Sequence, residues 1–249
     1  MWSISLENTI PHNANDMERA GDPEFVRAMF DSIAYRYDLL NHLLSFGLDC
    51  HWRRKLAESI RPAAPKRILD VATGTADSAI AIMPLHPERV VGVDVSEKML
   101  KYGRTKLVRK GLDQIIALQR AEAENLPFEA GCFDAAIVAF GARNFADLQR
   151  GLSEMHRVLR PGGMISVLEF SKPTTFGIKQ VYLFYFRRMI PRIGQWVSGS
   201  RVAYRYLPET VMRFPDGREF LAVLEKVGFK GLQETRVTFG AVSIYTGIK

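Results

Sequence analysis

The stretch Arg67-Ile68-Leu69-Asp70-Val71-Ala72-Thr73-Gly74-Thr75-Ala76-Asp77 decides the fold. A short buried-type run ending at Asp70 breaks into a Thr-Gly-Thr loop and then an acidic helix start, which reads as strand, ligand loop and helix. Working outward, RVVGVDV (89–95), QIIALQRA (114–121), FDAAIVAF (133–140) and MISVLEF (164–170) are four more strand candidates. Between the second and third, Ser96 opens and Gly111 closes a complete helix. In FADLQRGLSEMHRVLRPGG, Leu148, Leu152, Met155 and Leu159 fall at helical spacing, and Pro161-Gly162-Gly163 ends the segment. FKGLQETRVTF (229–239) and AVSIYTGIK (241–249) read as a final strand pair joined by a tight turn at Gly240. Strands alternating with helices require right-handed crossovers, so a doubly wound, mostly parallel seven-stranded α/β sheet is expected.

The flanks are organised differently. Residues 23–62 read as short aromatic helices capping the ligand edge of the sheet, and residues 171–214 as a basic amphipathic insertion ahead of the last two strands. Residues 23–249 are thus expected to form one domain, preceded by a flexible arm over 1–22, whose polar start lacks the order of a secretory signal. The 249 residues are 47% hydrophobic and 24% charged, which excludes disorder as the main state. No charge-free run is long enough to span a bilayer. Cys50 and Cys132 have no disulfide or zinc spacing, so reduced thiols, no metal site and a cytoplasmic setting are expected. Lys and Arg exceed Asp and Glu by 34 to 27, which favours an anionic surface as partner.

Asp94 closes the second strand twenty residues beyond Gly74, where a carboxylate can accept hydrogen bonds from both ribose hydroxyls of an adenosine. A dinucleotide fold would want several loop glycines so that backbone amides could hold a pyrophosphate, but here Gly74 stands alone. S-adenosylmethionine carries a sulfonium and an ammonium and no phosphate. An acidic loop with Asp70 and Asp77 nearby suits it better. Glu122 and Ala123, after the third strand, are placed to meet an adenine amino group. The candidate cofactor residues are therefore Asp70, Gly74, Thr75, Asp94, Glu122 and Ala123.

Three further segments resemble the ubiquinone/menaquinone biosynthesis C-methyltransferase family. Tyr37-Asp38-Leu39-Leu40-Asn41, with Ser45 and Trp52, is similar to its first signature, and Arg157 to Gly163, with Glu169 and Ser171, to its second. Phe140-Gly141-Ala142-Arg143-Asn144 is similar to its Gly-x-Arg-Asn segment, and the ending Ser243-Ile244-Tyr245-Thr246-Gly247 resembles the menaquinone branch. The resemblance implies a Rossmann-like class I S-adenosylmethionine-dependent methyltransferase acting on a prenylated quinol, most like demethylmenaquinol. By position it implies Thr75, Asp94 and the Glu122-Ala123 pair as cofactor residues. The chain departs from the family's usual residues at Asp49, Thr73, Ala76, Glu122 and Ala139. Ala76 fits such a loop if its φ is negative.

Carbon methylation needs an electron-rich ring carbon, which a quinol acquires when a phenolic proton leaves. Arg143 is the candidate phenolate partner and Asn144 the residue that orients it. Arg is a poor proton acceptor, so a water or neighbouring carboxylate takes the proton. His51 is a candidate base or a helix-surface histidine. Lys172, Lys179, Arg187, Arg188, Arg192, Arg201 and Arg205 lie beside VYLFYF with no acid among them, a pattern suited to peripheral contact with an anionic membrane. The rival pattern is a solvated basic face over core aromatics. Benzoquinol methylation, an RNA methyltransferase and a noncatalytic adenosylmethionine-binding subunit are the competing functions. No Asn/Asp-Pro-Pro-Tyr loop follows the fourth strand, so nucleic acid is not the expected substrate. A homodimer is compatible with this reading.

Overall fold

A computed structural model describes residues 22–173, 175, 177–185, 188 and 201–249. Seven strands form one sheet: β1 (Arg67–Val71), β2 (Arg89–Asp94), β3 (Ile116–Arg120), β4 (Phe133–Ala139), β5 (Leu159–Phe170), β6 (Lys230–Val237) and β7 (Val242–Ile248). Their order is β3-β2-β1-β4-β5-β7-β6, and β7 runs antiparallel to both of its neighbours. The chain therefore winds outward in both directions from β1 and β4, whose loops part at the carboxyl edge. That switch point is where open α/β sheets bind ligands.

Helices cover both faces: α1 (Pro23–Ile33), α2 (Tyr37–Leu44), α3 (Leu48–Ile60), α4 (Asp77–Ala81), α5 (Glu97–Lys110), α6 (Leu148–Val158), α7 (Ile178–Phe184), α8 (Arg201–Arg213) and α9 (Arg218–Val227). The period of two along the strands sorts the core. Leu69, Val71, Ala136 and Val138 pack against Leu152 and Met155 of α6 and Phe220 and Leu224 of α9. Ile68, Ala135 and Ile137 face the other way, against Leu56 and Ile60 of α3 and Leu107 of α5. Each fully buried Leu, Ile, Val, Met or Phe among them stabilises the fold by roughly 1.5–3 kcal/mol. A third cluster, Phe25, Val26, Met29, Ile33, Leu40, Tyr206 and Val211, has no buried strand member; it joins α1 and α2 to α8 as a roof.

Local signals act as the sequence suggests in α5. Ser96 Oγ accepts from Met99 N at 3.1 Å, and Gly111, at φ 66°, caps the last turn. Two boundaries differ. Pro161-Gly162-Gly163 does not separate helix from strand; it forms an irregularity inside β5, where the pairing jumps from Phe133 with Leu159 to Ala135 with Met164. The turn at Gly240 is also longer than expected. Thr238, Phe239 and Gly240 all have positive φ, and the turn sets Thr238 Oγ1 2.8 Å from Trp52 Nε1, tying the end of the sheet to α3.

The arm before Asp22 lies outside the described residues, as do Arg187, Arg192 and the side chains of Lys179, Arg201 and Arg205. Of the remaining cations in the basic segment, Lys172 pairs with Asp216 at 3.2 Å and Arg188 is exposed. No helix among the described residues is long and apolar enough to cross a membrane.

Candidate active site

Two cavities meet at the carboxyl edge of the sheet. The first follows the loops after β1, β2, β3 and β4, and its wall includes Gly74, Asp94, Glu122, Ala123, Gly141 and Asn144. Close approach makes this wall possible: a Cβ on Gly141 would lie 2.5 Å from the Cβ of Ala72, so only glycine lets the β1 and β4 loops touch. Asp94 is fixed from below by two amides. Gly74 N donates to Oδ2 at 2.8 Å and Ser96 N to Oδ1 at 2.9 Å. A carboxylate has about four lone-pair sites, so capacity remains for a ligand hydroxyl. Burial pushes the Asp94 carboxyl up to about 6, against the pull of those amides.

Two expected cofactor residues stand elsewhere. Strand alternation turns Asp70 to the α4 face, away from the cavity wall; it is fully buried and accepts from Thr73 Oγ1 at 2.6 Å. Burial raises its carboxyl to about 7. Thr75, 2% exposed, is also absent from the wall. Its hydroxyl donates to Asp38 of α2 and accepts from Lys106 Nζ at 3.2 Å. Lys106 also reaches Asp77 Oδ1 at 2.6 Å, so Thr75 belongs to a polar latch between roof and sheet. Glu122 is exposed at the rim and Ala123 buried behind it. Ala76 has φ 70°, not the negative value its methyl was expected to need. It is fully buried among the apolar residues beneath α3 and α4, so its methyl does not face the cavity.

The second cavity is larger and mostly apolar, roofed by α1, α2 and α3 and floored by Phe140 and Phe170. Phe30, Tyr37 and Phe140 line both cavities and form the partition. Phe140 holds φ 57°, an uncommon and strained conformation for a bulky residue, at this meeting point. Tyr37 lies across Gly74, and burial raises its phenol pKa while the Arg143 and Arg53 guanidiniums oppose the rise. Leu40 of the same helix is 1% exposed in the roof core while Leu39 is 60% exposed, so α2 is both packed and open.

Arg143 reaches this second cavity from the short 3₁₀ turn after β4. Its side chain is 7% exposed, and Nη1 donates to Glu169 Oε1 at 2.8 Å and to the Phe140 carbonyl. Arg143 Nε is buried without a partner. The arginine is therefore both half of an ion pair and part of the cavity wall. Glu169 orients it; Asn144 does not. Asn144 lies on the other side of the partition, and its buried Oδ1 has no partner. His51 is exposed on α3 and lines neither cavity. Sequence reading missed Arg53, buried on α3 beside Asp49, because HWRRK gives no sign of which arginine turns inward. It also missed Lys106, whose partners are remote in sequence.

The first cavity discriminates among nucleosides. Among the described residues its wall carries the carboxylates of Asp94, Glu122 and Glu124 and no Lys or Arg. That composition attracts a cation and repels a pyrophosphate, and the orphaned Asn144 oxygen is an acceptor awaiting a donor. The donor set fits S-adenosylmethionine.

Sheet order and cavity together give the Rossmann-like architecture of the class I S-adenosylmethionine-dependent methyltransferases. The fold is shared with the [4+2]-cyclase SpnF, at TM-score 0.68 and 17% identity over 91% of this chain and 96% of that one. It is shared too with a S-adenosylmethionine-dependent methyltransferase of Thermotoga maritima, described as a candidate histamine N-methyltransferase, at TM-score 0.63 and 18% identity over 90% and 99%. The family is narrower. Residues 17–249 match the ubiE/COQ5 methyltransferase family, and the chain belongs to it. It is 46% identical over 227 residues to the demethylmenaquinone methyltransferase of Bacteroides fragilis, covering 91% of this chain and 93% of the relative. Identity is also 46% over 220 residues to the demethylmenaquinone methyltransferase of Thermus thermophilus (88% and 99%) and over 228 residues to the ubiquinone/menaquinone biosynthesis C-methyltransferase of Geobacter sulfurreducens (91% and 89%). The chain is an S-adenosylmethionine-dependent C-methyltransferase.

Proposed function

We propose that this protein methylates a ring carbon of a prenylated quinol, converting demethylmenaquinol to menaquinol at a membrane surface. The observation that carries the reading is the buried Arg143 in an apolar cavity separated from the acidic cofactor cavity only by Phe30, Tyr37 and Phe140. A bound S-adenosylmethionine supplies an electrophilic methyl. Asp94, Glu122 and Asn144 would hold that donor by its ribose, adenine and polar groups. The residues of the second cavity prepare the acceptor. Phe140, Phe170 and Trp52, in mutual contact with ring centroids 4.7–6.4 Å apart, offer an aromatic floor on which a quinol ring would pack. Arg143 favours a phenolate over a phenol there, because a fixed guanidinium stabilises the charged oxygen in a poorly solvated site. The ortho carbon then carries the electron density that methylation requires. Glu169 is committed to holding the guanidinium; the phenolic proton leaves before transfer, and loss of the hydrogen from the newly methylated ring carbon afterwards restores the phenol.

The mouth of the apolar cavity supports presentation from a bilayer. Leu48 and Phe46 line it and are 38% and 74% exposed, with Leu43 of α2 beside them at 46%. A long polyprenyl chain leaving this cavity would meet apolar side chains, and the basic insertion suits anionic headgroups. Transfer of label from methyl-labelled S-adenosylmethionine to demethylmenaquinol, held reduced in vesicles, tests the reading. Labelled menaquinol is expected, formed faster in anionic than in zwitterionic vesicles. No labelled menaquinol from active protein refutes the substrate, and equal rates refute the anionic surface.

A further inference from the structure

Among the described residues, two ion pairs have both side chains less than a tenth exposed: Arg143 with Glu169, and Arg53 with Asp49. Both arginines face the same apolar cavity. Burying both charges of a pair seldom adds net stability, so stability does not explain two such pairs around one space. The pairs are built alike. In each, Nη1 meets the carboxylate at 2.8 Å and Nε is buried without a hydrogen-bond partner. Asp49 is itself anchored: its Oδ1 accepts from Ser45 Oγ at 2.9 Å and lies 3.1 Å from His42 Nδ1. Two aromatic rings, tilted 38° to one another, link the cations. Arg53 Cζ is 5.8 Å from the centre of Phe140, Arg143 Cζ is 5.5 Å from that of Phe170, and the two ring centres are 4.7 Å apart.

We propose that Arg53, held by Asp49, is a second oxygen anchor, which binds the ring oxygen para to the one held by Arg143. The assignment deepens the quinol reading above and rests on it. Arg143 takes the oxygen ortho to the methylated carbon, because its neighbours Phe140, Gly141 and Asn144 line the cofactor cavity. No residue of α3 does so, and Arg53 therefore takes the distal oxygen. With one anchor a ring pivots about the bound oxygen. With two, its plane and rotation are fixed, and one carbon is held toward the donor. The site thereby reads a para-dioxygenated ring, not merely a phenol.

The test compares two soluble acceptors under anoxic conditions: 2-prenyl-1,4-naphthohydroquinone and 3-prenyl-1-naphthol, which lacks the distal oxygen. The wild-type chain is expected to prefer the diol in kcat/KM. In Arg53→Gln that preference should shrink at least about tenfold, the scale of one charge-assisted hydrogen bond. Intrinsic ring reactivity cancels in this ratio, and so does a general loss of active protein. A double variant, Asp49→Leu with Arg53→Leu, removes the pair without leaving a buried charge and should show the same shrinkage. Binding heat for S-adenosylmethionine reports that each variant is folded. If the preference is unchanged in both variants, the anchor is overturned. Should the wild-type chain bind the donor yet methylate neither compound, the quinol reading fails and the anchor with it, an outcome distinct from an unchanged preference.

Discussion

The two cavities share a partition but are built by different means. The cofactor cavity is assembled from loops that leave adjacent strands, so the hydrogen-bond ladder fixes its geometry and backbone amides do much of the holding. Gly74 N and Ser96 N clamp Asp94 whatever the roof does. The apolar cavity has a floor at the end of the sheet but walls from α1, α2, α3 and α7, joined by side-chain packing and a few polar latches such as Asp38 with Lys106. A general cofactor is thus bound by rigid backbone. On the proposed reading, the substrate pocket is left to elements joined through their side chains.

The largest expected effect tests this division of labour at Arg143. Removing the guanidinium alone leaves Glu169 buried and unpaired, at a cost of about 3–5 kcal/mol. The paired change Arg143→Gln with Glu169→Gln avoids this by leaving two neutral amides. Turnover should fall by about 10²–10³-fold, as for loss of one preorganised charge stabiliser, while donor affinity by calorimetry stays within about twofold. A matching loss of donor affinity would show that the partition does not separate the two tasks.

The same contrast explains what was legible in the sequence. Strand runs, the Ser96 cap, the Gly111 stop and the Gly74 to Asp94 spacing are local signals, and each lies where the chain suggested. Asp70 and Thr75 stand off the cavity wall because loop membership does not say which way a side chain points; alternation and the Asp38 latch decide that. Arg53 was invisible for a related reason. On α3 it is next to Arg54, which is exposed, and only the packing of α3 on the sheet selects one to be buried beside Asp49. The roof is a tertiary product, and the chemistry in its walls was correspondingly hard to read.

A second, smaller effect probes the strand-built side. Asp94→Asn keeps one acceptor oxygen and loses the charge, so donor affinity should fall about 10–100-fold. In the wild-type chain affinity should also fall as pH drops through about 6, where the half-buried Asp94 takes up its proton. Stability of the ligand-free protein moves the opposite way. Asp94 and Asp70 hold their protons to about 6 and about 7 when folded, above the ordinary carboxylate range. The folded state then binds more protons between about pH 4 and 7, and stability falls as pH rises through that window. Melting temperatures at pH 5 and 7.5, with and without the Asn, check the sign; a rise toward neutrality that the Asn leaves unaltered would show that these carboxyls are not the titrating groups.

The smallest effect is expected at Ala76, where the rigid half carries a fault of its own. At φ 70° the alanine adopts a left-handed conformation that costs roughly 1–2 kcal/mol, which Ala76→Gly would relieve. The glycine would also lose a buried methyl worth about 0.8 kcal/mol, and it would add about 0.4–1 kcal/mol of unfolded-chain entropy to be overcome. These terms nearly cancel. The change should shift stability by less than about 1 kcal/mol, or about 2–4 °C for a chain of this size, and leave donor affinity untouched because the methyl is buried away from the cavity. A large gain in donor affinity would instead place the methyl in the path of the cofactor, and the loop geometry that separates backbone holding from side-chain packing would have to be redrawn.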